Sequence, residues 1–361
     1  MPDTPLREHR ADGTRLTPLS RYDKATARRN AIVGVVPVLL PVAVAVTIGA
    51  IFISVYLAAF HAPVPHGMKI AVVGTPAEVA AVEKQLADPS PDSFRVEQLP
   101  DKMAARSAVE HGDVFAAYLP IREHSMLFYA GAHGPSVTSL IIQSFGEVAK
   151  ADGQRLEPVD VVPASAHDTR GLAVFYTTFG LVLAGYLFGI MTYQLAPGIA
   201  LARRLAGLAT FGAVGGLTVA SIVSAYGAMP APFLGVAGLV ALVALAVGAS
   251  TMVLVRGLGV AGSSLAAVVF MTIGNATSGG SLPANFLPSW LRPFASALPV
   301  GAGVRAVNGL AYFHGDGVLS GIAILTAWAL AGIGGLLLLE HGKGRNREIT
   351  SRLGAPYASN A

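Results

Sequence analysis

Apolar positions along this chain fall into two regimes: long unbroken runs, and one interval where they recur with short periods. The first run, Ala31 to Phe60, holds no charged residue. It exceeds the roughly 20 apolar residues that cross a bilayer. Pro37 and Pro41 lie near its start, and each removes a backbone donor, which predicts a kink. Five more runs follow: Gly171 to Leu195, Leu208 to Tyr226, Phe233 to Val255, Val260 to Ile273 (extending toward Gly279), and Val318 to Leu339. The fifth of the six is "VAGSSLAAVVFMTIGNATSGG". Its small and hydroxyl residues predict a helix packed closely on its neighbours.

The interval from His61 to Arg170 has a different rhythm. "KIAVVG", "FRVEQL", "DVFAAYLP" and "SMLFYAG" read as strands, and "LEPVDVVP" follows the last helix. "TPAEVAAVEKQLA" predicts an amphipathic helix with Thr75 as N-cap and Pro76 in its first turn. "DKMAARSAVEHG" predicts a second helix, opened by Asp101 and closed near Gly112, and "PSVTSLIIQSFGEVAKADG" a longer third. Strands alternating with helices imply a mostly parallel sheet. The fold expected is a polytopic α-helical membrane protein with six transmembrane helices and an extracytoplasmic α/β domain between helices one and two. Its parts are a cytoplasmic segment 1–30, a first span 31–60, the α/β domain 61–170, a five-helix bundle 171–339 and a cytoplasmic tail 340–361.

Composition supports the membrane reading. Charged residues make up 13% of the chain and mean hydropathy is +0.58. A soluble domain carries about 25% charge. There is no cysteine, so no disulfide staples an outer domain. The net charge of +4 matters for where it sits. Arg21, Lys24, Arg28 and Arg29 precede the first run, Arg203, Arg204 and Arg256 lie in short connections, and Lys343, Arg345, Arg347 and Arg352 lie in the tail. The positive-inside rule then puts both termini in the cytoplasm and the α/β domain outside a plasma membrane. The charge pattern gives no reason to expect a nucleic-acid partner.

Catalytic and nucleotide motifs are missing. There is no G-x-G-x-x-G and no G-x-x-x-x-G-K-[ST]. Ser125 and Ser136 lack a nucleophile-elbow context. His61, His66, His111, His124, His133, His167 and His314 form no recognised ligand spacing, so no metal or cofactor is expected. The chain does not read as an enzyme. Asp168 and Arg170 stand directly before the second run. Two readings are open for them: a mouth or gate, or a cap and headgroup anchor for that helix. The cores of the six runs hold hydroxyls and an amide, and no Asp, Glu, Lys, Arg or His. Proton-driven transporters keep an ionisable group there, so energy for any transport is expected to enter through another chain. "APGIALARRLAG", with Arg203 and Arg204, is either a short interfacial helix that receives that force or a plain positive-inside anchor.

The last polar interval, 274–317, contains Asn275, Pro283, Pro288, Trp290, Pro299 and Arg305. It is too apolar for a solvated linker. Pro288 suits a helix start, Leu291, Phe294 and Leu298 share one face, and Trp290 suits an interfacial anchor. Short re-entrant or interfacial helices over the bundle's outer mouth are expected, with these residues and Asp168 and Arg170 at the mouth or gate.

These features resemble a known family. One span, a large outer domain and five spans is similar to permeases of ABC exporters of the second type, closest to the phage-infection-protein-like branch. "GDVFAAYLP", "HDTRGLAVFY" and "SGGSLPANFLPSWLRPFASALPVGAGVRAV" carry the resemblance, which spans Ala31 to Leu339. Where such permeases commonly carry an acidic, "E-x-x-G-T"-like stretch, this chain has the short basic "QLAPGIALARRLAG". The resemblance implies a permease subunit that exports an amphipathic or cell-surface compound. It implies a homodimer or a related permease as partner, and a cytoplasmic ATPase as energy source. The rival reading is a membrane-anchored interaction protein whose outer domain binds a wall component, a secreted protein or a phage.

Overall fold

The computed structural model describes residues 21–353, apart from 62, 89–90 and 122–123. Side chains are described from residue 39 to residue 342. The chain is a polytopic α-helical membrane protein carrying a small α/β domain. Among the described residues, five helices are long and apolar enough to cross a membrane. They are the Leu39–Phe60 part of α1 (Arg21–Phe60), α5 (Ala173–Gln194), α6 (Leu201–Tyr226), α7 (Phe233–Leu258) and the Val318–Gly342 part of α11 (Val318–Leu353). The helical assignment of α1 is unbroken through Pro37 and Pro41. Large apolar side chains such as Leu40, Ile53, Leu217 and Leu338 face outward, as lipid-facing residues do.

The fifth apolar run departs from a simple span. α8 (Val260–Ala266) has 7 residues and passes into 8 residues of π-helix, Ala267–Gly274. Gly259, at φ +61°, breaks α7 from α8 in a conformation L side chains rarely adopt. Gly262 then lies against the Leu254 carbonyl, where a Cβ has no room. α8 therefore turns straight back onto the end of α7. It is shorter than the five long helices.

α7 is the bundle's central helix, flanked by α5, α6, α10 (Pro299–Tyr312) and α11. Close approach depends on missing side chains. A Cβ on Gly189 of α5 would stand 2.6 Å from the Thr251 Cβ of α7. At the end of the bundle away from the sheet, Arg256 and Glu340 pair at 3.1 Å, tying α7 to α11.

The α/β domain is a five-stranded sheet in the order β2-β1-β3-β4-β5. The strands are β1 (Met68–Val73), β2 (Phe94–Leu99), β3 (Ala116–Pro120), β4 (His124–Tyr129) and β5 (Arg155–Asp160). Every pairing is parallel except β3 with β4, so the mostly parallel expectation holds. Thr75 and Glu78 form the capping box of α2 (Pro76–Ala87). Asp101 caps α3 (Lys102–Glu110). α2 and α4 (Pro135–Ala151) cover one face of the sheet through Val82, Leu86, Ile141 and Phe145. α3 covers the other face, where Ala71, Ala117 and Phe128 meet Ala105 and Val109. That second core does not stop at the domain. It continues through Val162, Val174, Val236, Val304 and Phe313 into the membrane bundle. The segment 274–317 holds the first face too, because Phe286 and Leu282 join its core.

Candidate functional site

The register of the sheet decides which end meets the bundle. β1, β2 and β3 run together, and β4 runs against β3. The starts of β1–β3 therefore lie level with the ends of β4 and β5. The chain enters the domain at β1 and leaves at β5, so both crossings to the helices occur at this one end. The α3–β3, β4–α4 and β5–α5 connections gather there as well. Together with segment 274–317 they enclose a cavity of about 730 Å³. That size is within the roughly 300–1,000 Å³ of small-molecule sites.

Four of the residues expected at a mouth line this cavity: Asp168, Arg170, Pro283 and Arg305. Asp168 is also a cap. Its carboxylate accepts from the Leu172 and Ala173 backbone N–H groups at 3.0 and 2.8 Å, closing the start of α5. Arg170 is exposed on the cavity rim, and its backbone carbonyl lies near Gly134 at the start of α4. Gly171 stands closer still: a Cβ there would come 3.1 Å from the Gly134 Cα. Arg305, on α10, donates to the Ala295 and Ser296 carbonyls and so closes the C-terminus of α9 (Arg292–Ala297).

The other four mouth candidates serve the frame. Asn275 donates to the Tyr56 hydroxyl at 2.6 Å and ties the π-helical segment to α1. Pro288 opens the turn before α9, its carbonyl accepting from Leu291 and Arg292. Pro299 is the buried first residue of α10, where its missing N–H costs nothing. Trp290 is 56% exposed, as an interfacial anchor would be. The segment does fold into short helices, as its apolar spacing predicts: a 3₁₀ turn at Ala284–Phe286, then α9 and α10.

Of the two readings open for "APGIALARRLAG", a separate interfacial helix does not form, and both arginines belong to the first turn of α6. Arg203 is exposed. Arg204 is buried and turned inward. Its guanidinium donates to the carbonyls of Thr192, Ala196, Pro197 and Ile199 and lies 4.1 Å from the Tyr193 ring centre. It satisfies carbonyls at the end of α5 and through the turn that follows, and so holds the α5–α6 turn. The apolar spacing that suggested a separate helix is simply the start of α6.

Sequence reading missed the residues that give the cavity its character. His133 stands one residue before the N-cap of α4, and its ring lies between Phe115, tilted against it at 4.7 Å, and Phe313, stacked on it at 4.9 Å. Its Nε2 is shut from solvent with no hydrogen-bond partner. Burial pushes its pKa down to about 4, because the charged ring would lose its hydration. His111 stacks on His314 at 5.0 Å, joining the end of α3 to the residues after α10. Asp113 and Asp316 line the cavity, each two residues beyond one of these stacked rings. α4 starts at the cavity with Gly134 as its N-cap and no side chain satisfying its first N–H groups. The one local signal was "HGPS", a Gly-Pro helix start beside a histidine. No group of three potential metal ligands comes together among the described residues. No protein-family model and no curated protein matches this chain.

Proposed function

We propose that this chain is the membrane subunit of an exporter of the ABC type. It moves an amphipathic or cell-surface compound outward with energy from a partner ATPase, and it works as a homodimer or beside a related permease. The chain then lies in the plasma membrane with both termini in the cytoplasm and α8 with its π-helical extension completing a sixth span. The α/β domain is then extracytoplasmic.

The observation that carries this reading is the cavity at the junction of domain and bundle. It combines charged groups, Arg170 and Arg305, with apolar wall from Val174, Val304 and Phe313. That mixture suits a molecule with a polar head and an apolar body. A domain that merely displays itself on an anchor needs no such junction. The π-helix adds support, since such stretches concentrate at functional sites. The span centres carry hydroxyls in place of titratable groups, which supports an energy source on another chain.

The test is affinity purification of the full chain from its native membrane, followed by reconstitution. An ATPase is expected to copurify, and export from the vesicles is expected to need nucleotide. Arg203→Glu changes an exposed charge at the end of the bundle away from the sheet. It is expected to lower nucleotide-dependent export while leaving thermal unfolding within about 0.5 kcal/mol. Full export with no ATPase present would overturn the proposal.

A further inference from the structure

We propose that the ring contacts between the sheet and the end of α10 form an acid-released latch: protonation of His133 parts the α/β domain from α10 and opens the junction cavity. The latch needs no ATPase and stands apart from the transport reading. Phe313 and His314 directly follow α10. The α/β domain holds Phe313 through two contacts. His133 stacks on its ring at 4.9 Å, and a Cβ on Gly112 would stand 3.1 Å from that ring. Phe115 lies against His133 at 4.7 Å, and the Phe115 N–H donates to the Lys69 carbonyl of β1, which fixes it to the sheet. His111, at the end of α3, stacks on His314 at 5.0 Å. The His314 backbone is left-handed, with φ +53°. A non-glycine residue keeps that conformation only where its surroundings enforce it, and parting of the domain removes the stacked partner that helps to do so.

The latch closes while His133 is uncharged. Its Nε2 is shut from solvent without a partner, so a proton on the ring would place a charge where water does not reach it. Burial holds its pKa at about 4, below the ordinary 6.5. The ring regains its ordinary titration only by leaving the two phenyl rings, so acid favours the open form. The surrounding charges do not offset this. Asp160 accepts from the Gly131 and Val162 N–H groups, and Asp168 from those of Leu172 and Ala173. Asp113 and Asp316 are exposed, where water and salt screen them. Glu110 is paired with Arg106. Arg170 and Arg305 line the same cavity and oppose a further positive charge, and Tyr312 is a phenol that stays neutral in acid. Protonation of both His111 and His314 would set two cations in contact and push in the same direction. The span from 6.5 to about 4 lets the open-to-closed ratio rise by at most about 300-fold as pH falls across it.

The test is a distance measurement on the full chain in lipid nanodiscs. The chain has no cysteine, so Met103→Cys on α3 and Ser320→Cys on α11, both exposed, take spin labels at those two places alone. Electron–electron double resonance is expected to show one separation at neutral pH and a longer one that grows in acid, with a midpoint between about 4 and 6.5. A second pair, Tyr226→Cys with Ser320→Cys, spans the bundle alone and is expected to hold its separation throughout. His133→Phe keeps the ring contacts without the titration. It is expected to match the native separation at neutral pH and to cut the acid response at least about tenfold, which separates the imidazole from any carboxylate. His111→Phe in the same chain is expected to remove what remains. A single separation down to about pH 4, an undiminished acid response in His133→Phe, or a bundle pair that changes together with the first pair would overturn the proposal. Where His133→Phe fails to reproduce the neutral separation, the native midpoint decides: inside that window it upholds the latch, and outside it overturns it.

Discussion

At the scale of single residues, the charged groups near the membrane ends are chiefly structural, and His133 is the exception. Arg204, Arg305 and Asp168 each close a helix end. His133 instead sits neutral between two phenyl rings at the junction of domain and bundle. Its pKa falls from the ordinary 6.5 to about 4 in the folded chain. The unfolded chain therefore binds more protons between those values, so stability must fall as pH drops from about 6.5 to 4. A shift of this size sets an upper bound on the order of 3 kcal/mol. His133→Phe keeps the aromatic stack and removes the titration. Thermal unfolding measured from pH 7 to pH 4 is expected to show a shallower acid slope in the variant. An identical slope would mean that His133 is already solvated.

At the scale of elements, glycine sets how closely the helices approach. Gly189 lies where α5 meets α7, with the Thr251 side chain in the space a Cβ would take. Gly189→Leu must part the two helices or bend one. Overpacking of a tight core costs about 1–3 kcal/mol, and backbone contact raises the cost further. The expected outcome is a loss of thermal stability in detergent of at least that size. Gly238, on the same bundle, has nothing within 4 Å of an added Cβ, and Gly238→Ala is the matched control. It is expected to stay within about 1 kcal/mol of the native chain, since alanine replaces glycine favourably in a helix. The elements themselves were mostly legible. Thr75 with Pro76, and Asp101, predicted α2 and α3 because caps act within one turn of sequence. The start of α6 was not legible, because apolar spacing alone cannot tell a separate interfacial helix from the first turns of a span. The break between α7 and α8 falls in the gap between two predicted runs, and only the positive φ of Gly259 within it was hidden, since a glycine in sequence carries no sign of its φ.

At the scale of the whole molecule, the sheet and the bundle share a core. The α3 face of the sheet joins Val236, Val304 and Phe313 of the helical part in one apolar cluster. Phe286 reaches the opposite face from segment 274–317. A freely displayed binding domain would carry its own closed core. The excised segment Met68–Pro163 is therefore expected to expose apolar surface at its α3 face and at the Phe286 contact. Size-exclusion chromatography is expected to show association, and a bound fluorescent apolar dye is expected to report that surface. A monomeric, cooperatively folding fragment would favour the interaction-protein reading over the exporter.

Local signals determined a good deal. Unbroken apolar runs marked the membrane helices, because lipid exposure demands that every turn be apolar. Short periods and caps marked the α/β unit, because strand alternation and helix ends are written within a few residues. The apolar faces in 274–317 marked short helices where composition alone suggested a loop. Tertiary structure alone decided what met what. The antiparallel β3–β4 pairing put both chain crossings at one end of the sheet. That end met α10 and enclosed the cavity. His133, Arg170, Arg305 and Asp316 lie far apart in the chain and belong to separate elements. Their gathering is a long-range packing result, set by sheet register and helix contact, and no local pattern encodes it.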